Sequence, residues 1–151
     1  TDHIQKLKSF FFHRVKHDTP LDFFDRELKS VFGIDIYSSD FPKTKGYKIY
    51  SGKKADALII KLENLNQCVQ PAFKEFLNLE NFALINSNIG NQKDYAAVYS
   101  QFKNLIIFPN HYLNKMYQSK YTQHFYSDEE IRQFRYKWIR ADDEKSMEGD
   151  T

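Results

Sequence analysis

The sequence predicts an α/β fold that is rich in helices and contains a few short strands. Apolar residues recur every three to four positions along much of the chain, which is the period of a helix with one buried face. Two helix-start signals are present, Asp18-Thr19-Pro20 and the capping box Ser127-Asp128-Glu129-Glu130. Residues 47–51 and 57–63 are rich in isoleucine, leucine and tyrosine and are separated by a Ser-Gly turn, which favours two paired strands. This mixture excludes a purely helical bundle and leaves α+β open as the alternative.

Two helices are predicted in the N-terminal part of the chain. Residues 2–15 form the first, and the second is expected to be capped by Asp18 or Thr19, with Pro20 in its first turn. Gly33 is expected to end it, because glycine readily adopts the left-handed conformation that closes many helices. The predicted apolar stripes are Ile4, Leu7, Phe10 or Phe11 and Val15 in the first helix, and Leu21, Phe24, Leu28 and Val31 or Phe32 in the second.

A loop over residues 37–45 precedes the two strands, and a third helix is predicted over residues 64–78. Pro71 should kink or restart this helix, because proline lacks a backbone N–H donor. Residues 82–85 are expected to form another short strand, and residues 87–92 a turn.

Three further helices are predicted in the C-terminal part. One covers Tyr95 to Phe102, one is opened by Pro109, and the last begins at the capping box. Residues 119–124 are expected to be an irregular link into that last helix. The predicted buried stripe of the last helix is Ile131, Phe134 and Trp138.

Composition restricts the class of protein. We expect residues 1–140 to form one domain, and the acidic residues 141–151 to be a disordered tail, because they lack large apolar side chains. The formal net charge of +2 gives no overall attraction to nucleic acid or to an anionic membrane, so any anion site must be local. Cys68 cannot form an intramolecular disulfide, and no apolar run approaches the roughly 20 residues that span a bilayer. These features predict a cytoplasmic protein without a membrane span.

The polar segment before the last helix is the first candidate site. It carries Ser119, Lys120, Tyr121 and His124, with Lys115 nearby. Backbone N–H groups at a helix start can hold an anion, and Lys120 would add positive charge. The same residues are also consistent with a solvated connector whose tyrosines pack on the core, so both interpretations stay open.

The basic loop over residues 42–48 is the second candidate site. Its three lysines, which include Lys45 and Lys48, surround Gly46 and could bind a phosphate or sulfate group. The loop lacks the GxxxxGK[ST] spacing of a P-loop. An ordinary exposed approach to a hairpin explains the same residues.

No metal site is predicted. His13 and His17 stand four residues apart, but no glutamate accompanies them as in HExxH, and Arg14 and Lys16 would repel a cation. Cys68 is expected to be a small core residue.

Several segments, taken in order, resemble bacterial P-loop sulfotransferase-like proteins, a family that includes capsular polysaccharide synthesis proteins. The segments are PLDFFDRELKSVFGIDIY, KGYKIY with ALIIKLENLN, KDYAAVYSQFK, and YLNKMYQSKYTQHFYSDEEIRQFRYKW. The resemblance extends from about His17 to Trp138 and implies the helix-rich C-terminal part of a P-loop sulfotransferase-like fold. The chain starts at Thr1 without an initiator methionine, so we expect further sequence upstream.

The resemblance implies an activity and a site. Members of this family transfer a sulfuryl group from 3′-phosphoadenosine 5′-phosphosulfate to a glycan or another hydroxylated acceptor. They hold this co-substrate with an N-terminal phosphate-binding loop and a later Arg…Ser pair. Neither element occurs here, so this chain alone is expected to be inactive and to need no cofactor. The implied anion contacts are Lys45, Lys48 and Lys120, and the implied acceptor-cleft residues are Ser119, Tyr121 and His124; the catalytic base is not identified.

Two other functions remain open. The chain could be a non-catalytic interaction module that keeps the helical frame, or a domain that binds RNA or another anion through its lysines and tyrosines. A portion of a larger fold should expose an apolar face and should therefore oligomerise or be unstable. A self-sufficient module should instead be monodisperse and unfold cooperatively.

Overall fold

Helices make up most of the protein, and they surround one small sheet. The computed structural model describes residues 2–85, 87 and 93–139. The helices are α1 (Asp2–Arg14), α2 (Thr19–Phe23), α3 (Leu65–Leu77), α4 (Ala96–Leu105), α5 (Asn110–Tyr117), α6 (Lys120–Phe125) and α7 (Asp128–Tyr136). Short 3-10 turns occupy Ile36–Ser38 and Leu62–Asn64. The predicted helix-rich class with short strands is therefore confirmed.

The sheet is an antiparallel hairpin of β1 (Tyr47–Ser51) and β2 (Asp56–Ile60), in which Tyr47 pairs with Ile60 and Ser51 with Asp56. Side chains alternate between its two faces. Tyr47 lies on the face that packs against Cys68 and Ala72 of α3, so Cys68 is the small core residue that we predicted. Tyr50 lies on the opposite face, in a larger core that comprises Ile34, Ile36, Phe41 and Phe125.

The second predicted helix has the expected ends but an unexpected middle. Pro20 lies in its first turn, whereas the Asp18 side chain caps no backbone N–H and instead pairs with Lys115 at 2.6 Å. The helix widens to a π-helix over Phe24–Phe32, which the sequence did not predict. Gly33 ends it with φ +72°; its N–H donates to the Lys29 carbonyl, and the N–H of Ile34 donates to the Leu28 carbonyl.

Two predictions around α3 need correction. The helix does not restart at Pro71 but runs unbroken from Leu65 to Leu77, with the proline exposed; the kink that was the alternative stays a prediction. The strand predicted over residues 82–85 is wrong, because that segment pairs with neither β1 nor β2. Its Phe82 ring stacks instead on Phe73 of α3, with the ring centroids 4.0 Å apart. The turn predicted over residues 87–92 lies almost wholly outside the described residues, as does the tail 141–151.

Helices α6 and α7 begin at serine caps, whereas α5 follows a proline. Pro109 precedes α5 as predicted. The irregular link predicted over residues 119–124 is wrong: Ser119 accepts a hydrogen bond from the N–H of Thr122 and thereby starts α6. The capping box at Ser127 and Glu130 is confirmed at the start of α7. Ile131 is buried, whereas Trp138 is half-buried beyond the end of α7 and contacts Phe108 edge-on.

The predicted apolar stripe of α1 is only partly covered. Ile4 is buried, but Leu7, Phe10 and Val15 expose 39%, 59% and 41% of their surface. Among the helices that the structure describes, none combines the length and the apolar character needed to cross a bilayer.

Candidate functional site

The two basic segments singled out in the sequence meet at one cleft. The cleft has a volume of about 660 Å³ and lies between the loop that follows the Ile36–Ser38 turn and helix α6. It is lined by Tyr37, Asp40, Phe41, Lys43, Lys120, Gln123 and His124. Residues about 80 positions apart in sequence therefore share one site, as the hydrogen bond from Lys43 to Gln123 illustrates.

Local interactions hold the loop side of the cleft in place. Asp35 accepts a hydrogen bond from the N–H of Tyr37, which starts the short 3-10 turn. Phe41 is buried against Phe125, with the ring centroids 4.8 Å apart. Lys48 of β1 holds the loop between these two anchors through hydrogen bonds to Ser39 and Asp40. The aromatic core therefore fixes the loop against the base of α6.

His124 is the residue of the cleft with the most useful acid–base chemistry. Its half-buried ring lies edge-on to Tyr37, with centroids 5.0 Å apart, and its Nε2 is 3.5 Å from the Tyr50 hydroxyl. Burial lowers the pKa of His124, and the nearby ammonium groups of Lys48 and Lys43 lower it further, against smaller opposing effects of Asp40 and Asp35. The ring is therefore neutral at neutral pH and can accept a proton.

Lys43, which lines the cleft, and Lys48, close enough to His124 to lower its pKa, bring positive charge to this site. The Lys43 ammonium donates to the carbonyl of Gln123 at 2.9 Å. The Lys48 ammonium donates to the Ser39 hydroxyl at 2.7 Å and to the Asp40 carbonyl at 2.6 Å. The two groups that accept hydrogen bonds from Lys48 are neutral, and so is the carbonyl that accepts one from Lys43. Of the carboxylates that the structure describes, none lies within 4.0 Å of either ammonium, so both charges remain available to an anion.

Lys120 and Lys45 are both paired with carboxylates. Lys120 lies in the cleft, 2.5 Å from Asp25, with its ammonium 3.9 Å from the centre of the Tyr37 ring. Lys45 is 3.0 Å from Glu75 of α3, on the other face of the hairpin. Either lysine would have to leave its partner to bind an anion. Of the three predicted anion contacts, the structure therefore brings Lys48 and Lys120 to His124 and leaves Lys45 elsewhere.

Ser119 and Tyr121 have structural contacts and do not line the cleft. The Ser119 hydroxyl donates to the Met116 carbonyl at 2.7 Å while it accepts from the Thr122 N–H. The Tyr121 ring stacks on Phe24 of the π-helix and contacts Phe125. Both side chains therefore position α6, and with it His124.

Sequence reasoning missed Tyr37, Asp40 and Lys43 as individual site residues. Lys43 belongs to the basic loop that was predicted as a candidate site, where it directly follows Pro42. Nothing in the sequence distinguished Tyr37. Its hydroxyl is buried without a hydrogen-bond partner among the described residues, and burial raises the pKa of Tyr37 to about 12.

The described residues contain no group of three or more His, Cys, Asp or Glu side chains placed to bind a metal ion. His17 is used instead in packing and hydrogen bonding. One of its ring nitrogens lies 2.7 Å from the Phe11 carbonyl, and the other lies 3.1 Å from the Tyr112 hydroxyl. His13 bonds to the Ser9 carbonyl at 2.8 Å within α1.

Residues 2–127 match the NKWYS family model, described as "Putative capsular polysaccharide synthesis protein". The chain belongs to this family. The match includes the hairpin and every residue that lines the cleft, since these lie between Tyr37 and His124. No curated protein and no solved structure matches the chain. The capsular polysaccharide part of the predicted resemblance is therefore confirmed, while the sulfotransferase-like part stays a prediction.

Proposed function

We propose that the chain binds a glycan acceptor in the His124 cleft, as part of a sulfotransferase-like enzyme of capsular polysaccharide synthesis. The donor would be 3′-phosphoadenosine 5′-phosphosulfate, and the product a sulfated glycan. One observation carries the proposal: a neutral, half-buried histidine lies beside two ammonium groups that no described carboxylate neutralises. Family membership supports the glycan as the class of substrate.

His124 would act as the general base. A glycan hydroxyl must lose its proton as its oxygen bonds to the sulfur of the donor. The S–O bond to the 5′-phosphate breaks in the same step, and adenosine 3′,5′-bisphosphate leaves. A neutral imidazole within hydrogen-bond reach can accept the hydroxyl proton. Lys43 and Lys48 would attract an anionic group of the acceptor and orient the sugar. The aromatic side chains of Tyr37 and Phe41 supply the apolar lining that is usual in small-molecule sites.

The cleft fits the acceptor better than the donor. A phosphate-binding loop offers several backbone N–H groups to one anion, and the sequence contains no GxxxxGK[ST] segment. Of the three predicted anion contacts, Lys45, Lys48 and Lys120, the first and the last are paired with Glu75 and Asp25, which leaves only Lys48 without a carboxylate partner among the described residues. We therefore propose that residues outside this cleft bind the donor, and that activity requires them.

The alternative is a non-catalytic module that binds anionic glycans. The available charges of Lys43 and Lys48 favour it, because charge recognition needs no base and no donor. In this case His124 would contribute packing against Tyr37 and no proton transfer.

Isothermal titration with desulfated heparin oligosaccharides tests the binding step on this chain. We expect binding that weakens with salt and that falls roughly 10- to 150-fold in Lys43→Gln and in Lys48→Gln, since a charge-assisted hydrogen bond contributes about 1.5–3 kcal/mol. Lys53→Gln, in the hairpin turn, removes the same charge elsewhere and should bind as the wild type does. Absence of binding, or equal loss in Lys53→Gln, would exclude the cleft as the acceptor site.

Transfer of ³⁵S from labelled donor to desulfated heparin tests the chemistry, with the chain supplied in its natural full-length protein. His124→Gln should lower kcat by a factor of roughly 10² to 10⁴ and leave glycan binding intact. Unchanged kcat would exclude His124 as the base. Binding by the wild type with no transfer at any pH would favour the non-catalytic module.

A further inference from the structure

An apolar groove runs between α1 and α4, remote in sequence from the residues of the cleft. Its volume is about 270 Å³, and only apolar and aromatic side chains of α1, α4 and their adjoining residues line it. The Phe11 and Phe102 rings form its floor, with centroids 5.8 Å apart. Around them, Phe10, Tyr95 and Tyr99 expose 59%, 59% and 51% of their surface. Monomeric proteins seldom expose contiguous apolar patches unless these bind something.

The two segments that contain the helices of this groove are rich in basic residues. Six basic and two acidic residues lie in the segments 2–16 and 93–105: Lys6, Lys8, Arg14, Lys16, Lys93 and Lys103 against Asp2 and Asp94. Asp2 pairs with Lys6 at 2.7 Å. The Lys103 ammonium lies 4.8 Å from the centre of the Tyr99 ring, at the side of the groove. The formal net charge of the whole chain is +2, so these two segments carry +4 and the rest of the chain carries −2.

We propose that the α1–α4 face docks on an anionic membrane surface. Helices that lie in the membrane interface combine apolar and aromatic side chains on one side with flanking lysine and arginine. Phe10, Tyr95 and Tyr99 would enter the interface between headgroups and acyl chains. Lys8, Arg14 and Lys103 would lie near the phosphates, where each basic residue attracts the protein to anionic lipid.

The charge argues against a second copy of the chain as the occupant. A two-fold symmetric dimer places the same surface of each copy against the other, so the two basic faces would repel each other. The exposure argues against a peptide helix. A bound helix inserts its own side chains into a groove, whereas here Phe10 and Tyr95 project outward and expose more than half of their surface.

Co-sedimentation with lipid vesicles tests the proposal on the full chain. We expect binding to vesicles of 30% phosphatidylglycerol in phosphatidylcholine, little binding to pure phosphatidylcholine, and release at high salt. Lys8→Gln and Arg14→Gln should each weaken binding about fivefold, because a basic residue near such a surface contributes about 1 kcal/mol. Lys53→Gln, on the hairpin turn, is the matched control and should bind as the wild type does.

Insertion of the groove is tested with a tryptophan in place of Phe10. Phe10→Trp should show a blue-shifted emission on vesicles and quenching by brominated lipid, whereas Leu62→Trp, at an exposed position on the 3-10 turn after β2, should show neither. Trp138 is common to both variants and serves as the background. Absence of binding to anionic vesicles, equal quenching in both variants, or binding that Lys8→Gln and Arg14→Gln leave unchanged would each overturn the proposal. Capture of an acidic peptide in place of vesicles would overturn it in favour of a protein partner.

Discussion

The ion pair between Lys61 and Glu130 gives the sharpest test of what stabilises this fold. Lys61 follows β2, and its side chain is only 2% exposed, with its ammonium 2.5 Å from the Glu130 carboxylate. Glu130 is 33% exposed and also accepts the Ser127 N–H of the capping box at 2.8 Å. The pair joins the hairpin to the start of α7, just after the helix that carries His124. Removing each partner in turn should therefore show whether the buried ammonium or the more exposed carboxylate loses more stability without its counter-charge.

The expected effects are unequal because burial is unequal. Glu130→Gln keeps an oxygen for the cap but leaves a buried ammonium without a counter-charge, which should cost about 3–5 kcal/mol of the free energy of unfolding. Glu130→Ala also removes the acceptor of the Ser127 N–H, which adds about 1 kcal/mol. Lys61→Met places an apolar chain of similar length in the buried position and leaves a carboxylate that water can reach. We expect it to change stability by no more than about 1 kcal/mol, including the lost contact with the Tyr126 ring.

Urea unfolding followed by circular dichroism measures these differences, with equal slopes against denaturant as the check that unfolding stays two-state. The double variant Lys61→Met with Glu130→Gln should be close in stability to Lys61→Met alone, because no buried charge is then left unpaired. The reasoning fails if Lys61→Met costs as much as Glu130→Gln, or if Glu130→Gln costs less than about 1 kcal/mol.

Acid should reproduce the effect of Glu130→Gln. Burial, the largest influence, raises the pKa of Glu130, but hydrogen bonds from Lys61 and Ser127 outweigh it and hold that pKa below its ordinary value of 4.5. Folding therefore lowers this pKa, so the stabilisation is complete above about pH 4.5 and is lost as the pH falls through the lower folded-state value. Lys61→Met should lose the part of this acid dependence that comes from Lys61 and keep at most the part that comes from the Ser127 hydrogen bonds.

Three further predictions, two for glycine substitutions and one for a thiol reaction, follow from local geometry. Gly46 has φ +79°, and a Cβ there would lie 2.5 Å from Asn64 Cβ, so Gly46→Ala should cost about 2–4 kcal/mol in urea unfolding. Gly33→Ala, where φ is +72° but nothing lies within 4 Å, should cost only about 1–2 kcal/mol, and equal costs would contradict the contribution of the contact. Cys68 is 5% exposed and burial raises the pKa of its thiol, so it should react with a thiol reagent only at the rate of unfolding; fast reaction in the native state would contradict its burial.

The parts of the fold that were predicted correctly depend on interactions between residues that are close in sequence. The capping box at Ser127 and the helix end at Gly33 require only local hydrogen bonds and one backbone conformation, and both are present. The hairpin was predicted because its strands are adjacent in sequence. The strand predicted over residues 82–85 failed because an apolar run becomes a strand only when another strand pairs with it, and Phe82 stacks on a helix.

The candidate site was predictable as two segments but not as one cleft. Which lysine faces His124 depends on contacts between distant residues, such as Lys43 with Gln123 and Lys45 with Glu75. The sequence did not distinguish Lys45 from Lys48 as anion contacts, because both lie within two residues of Gly46. Lys48 lies in β1 next to Tyr47, so the alternation of side chains places it on the Tyr50 face of the hairpin, whereas Lys45 precedes the strand and pairs with Glu75 of α3.

The charges around His124 also determine how the pKa of its ring would respond when an anionic ligand binds in the cleft. The pKa of His124 is lowered by burial and by the ammonium groups of Lys48 and Lys43. An anion bound by these lysines would oppose their effect and raise that pKa, so anion binding and protonation of His124 would favour each other. A glycan acidic enough to bind well would thus make His124 a stronger base at the moment its hydroxyl must be deprotonated. Lys120 contributes little to this coupling, because Asp25 already compensates its charge.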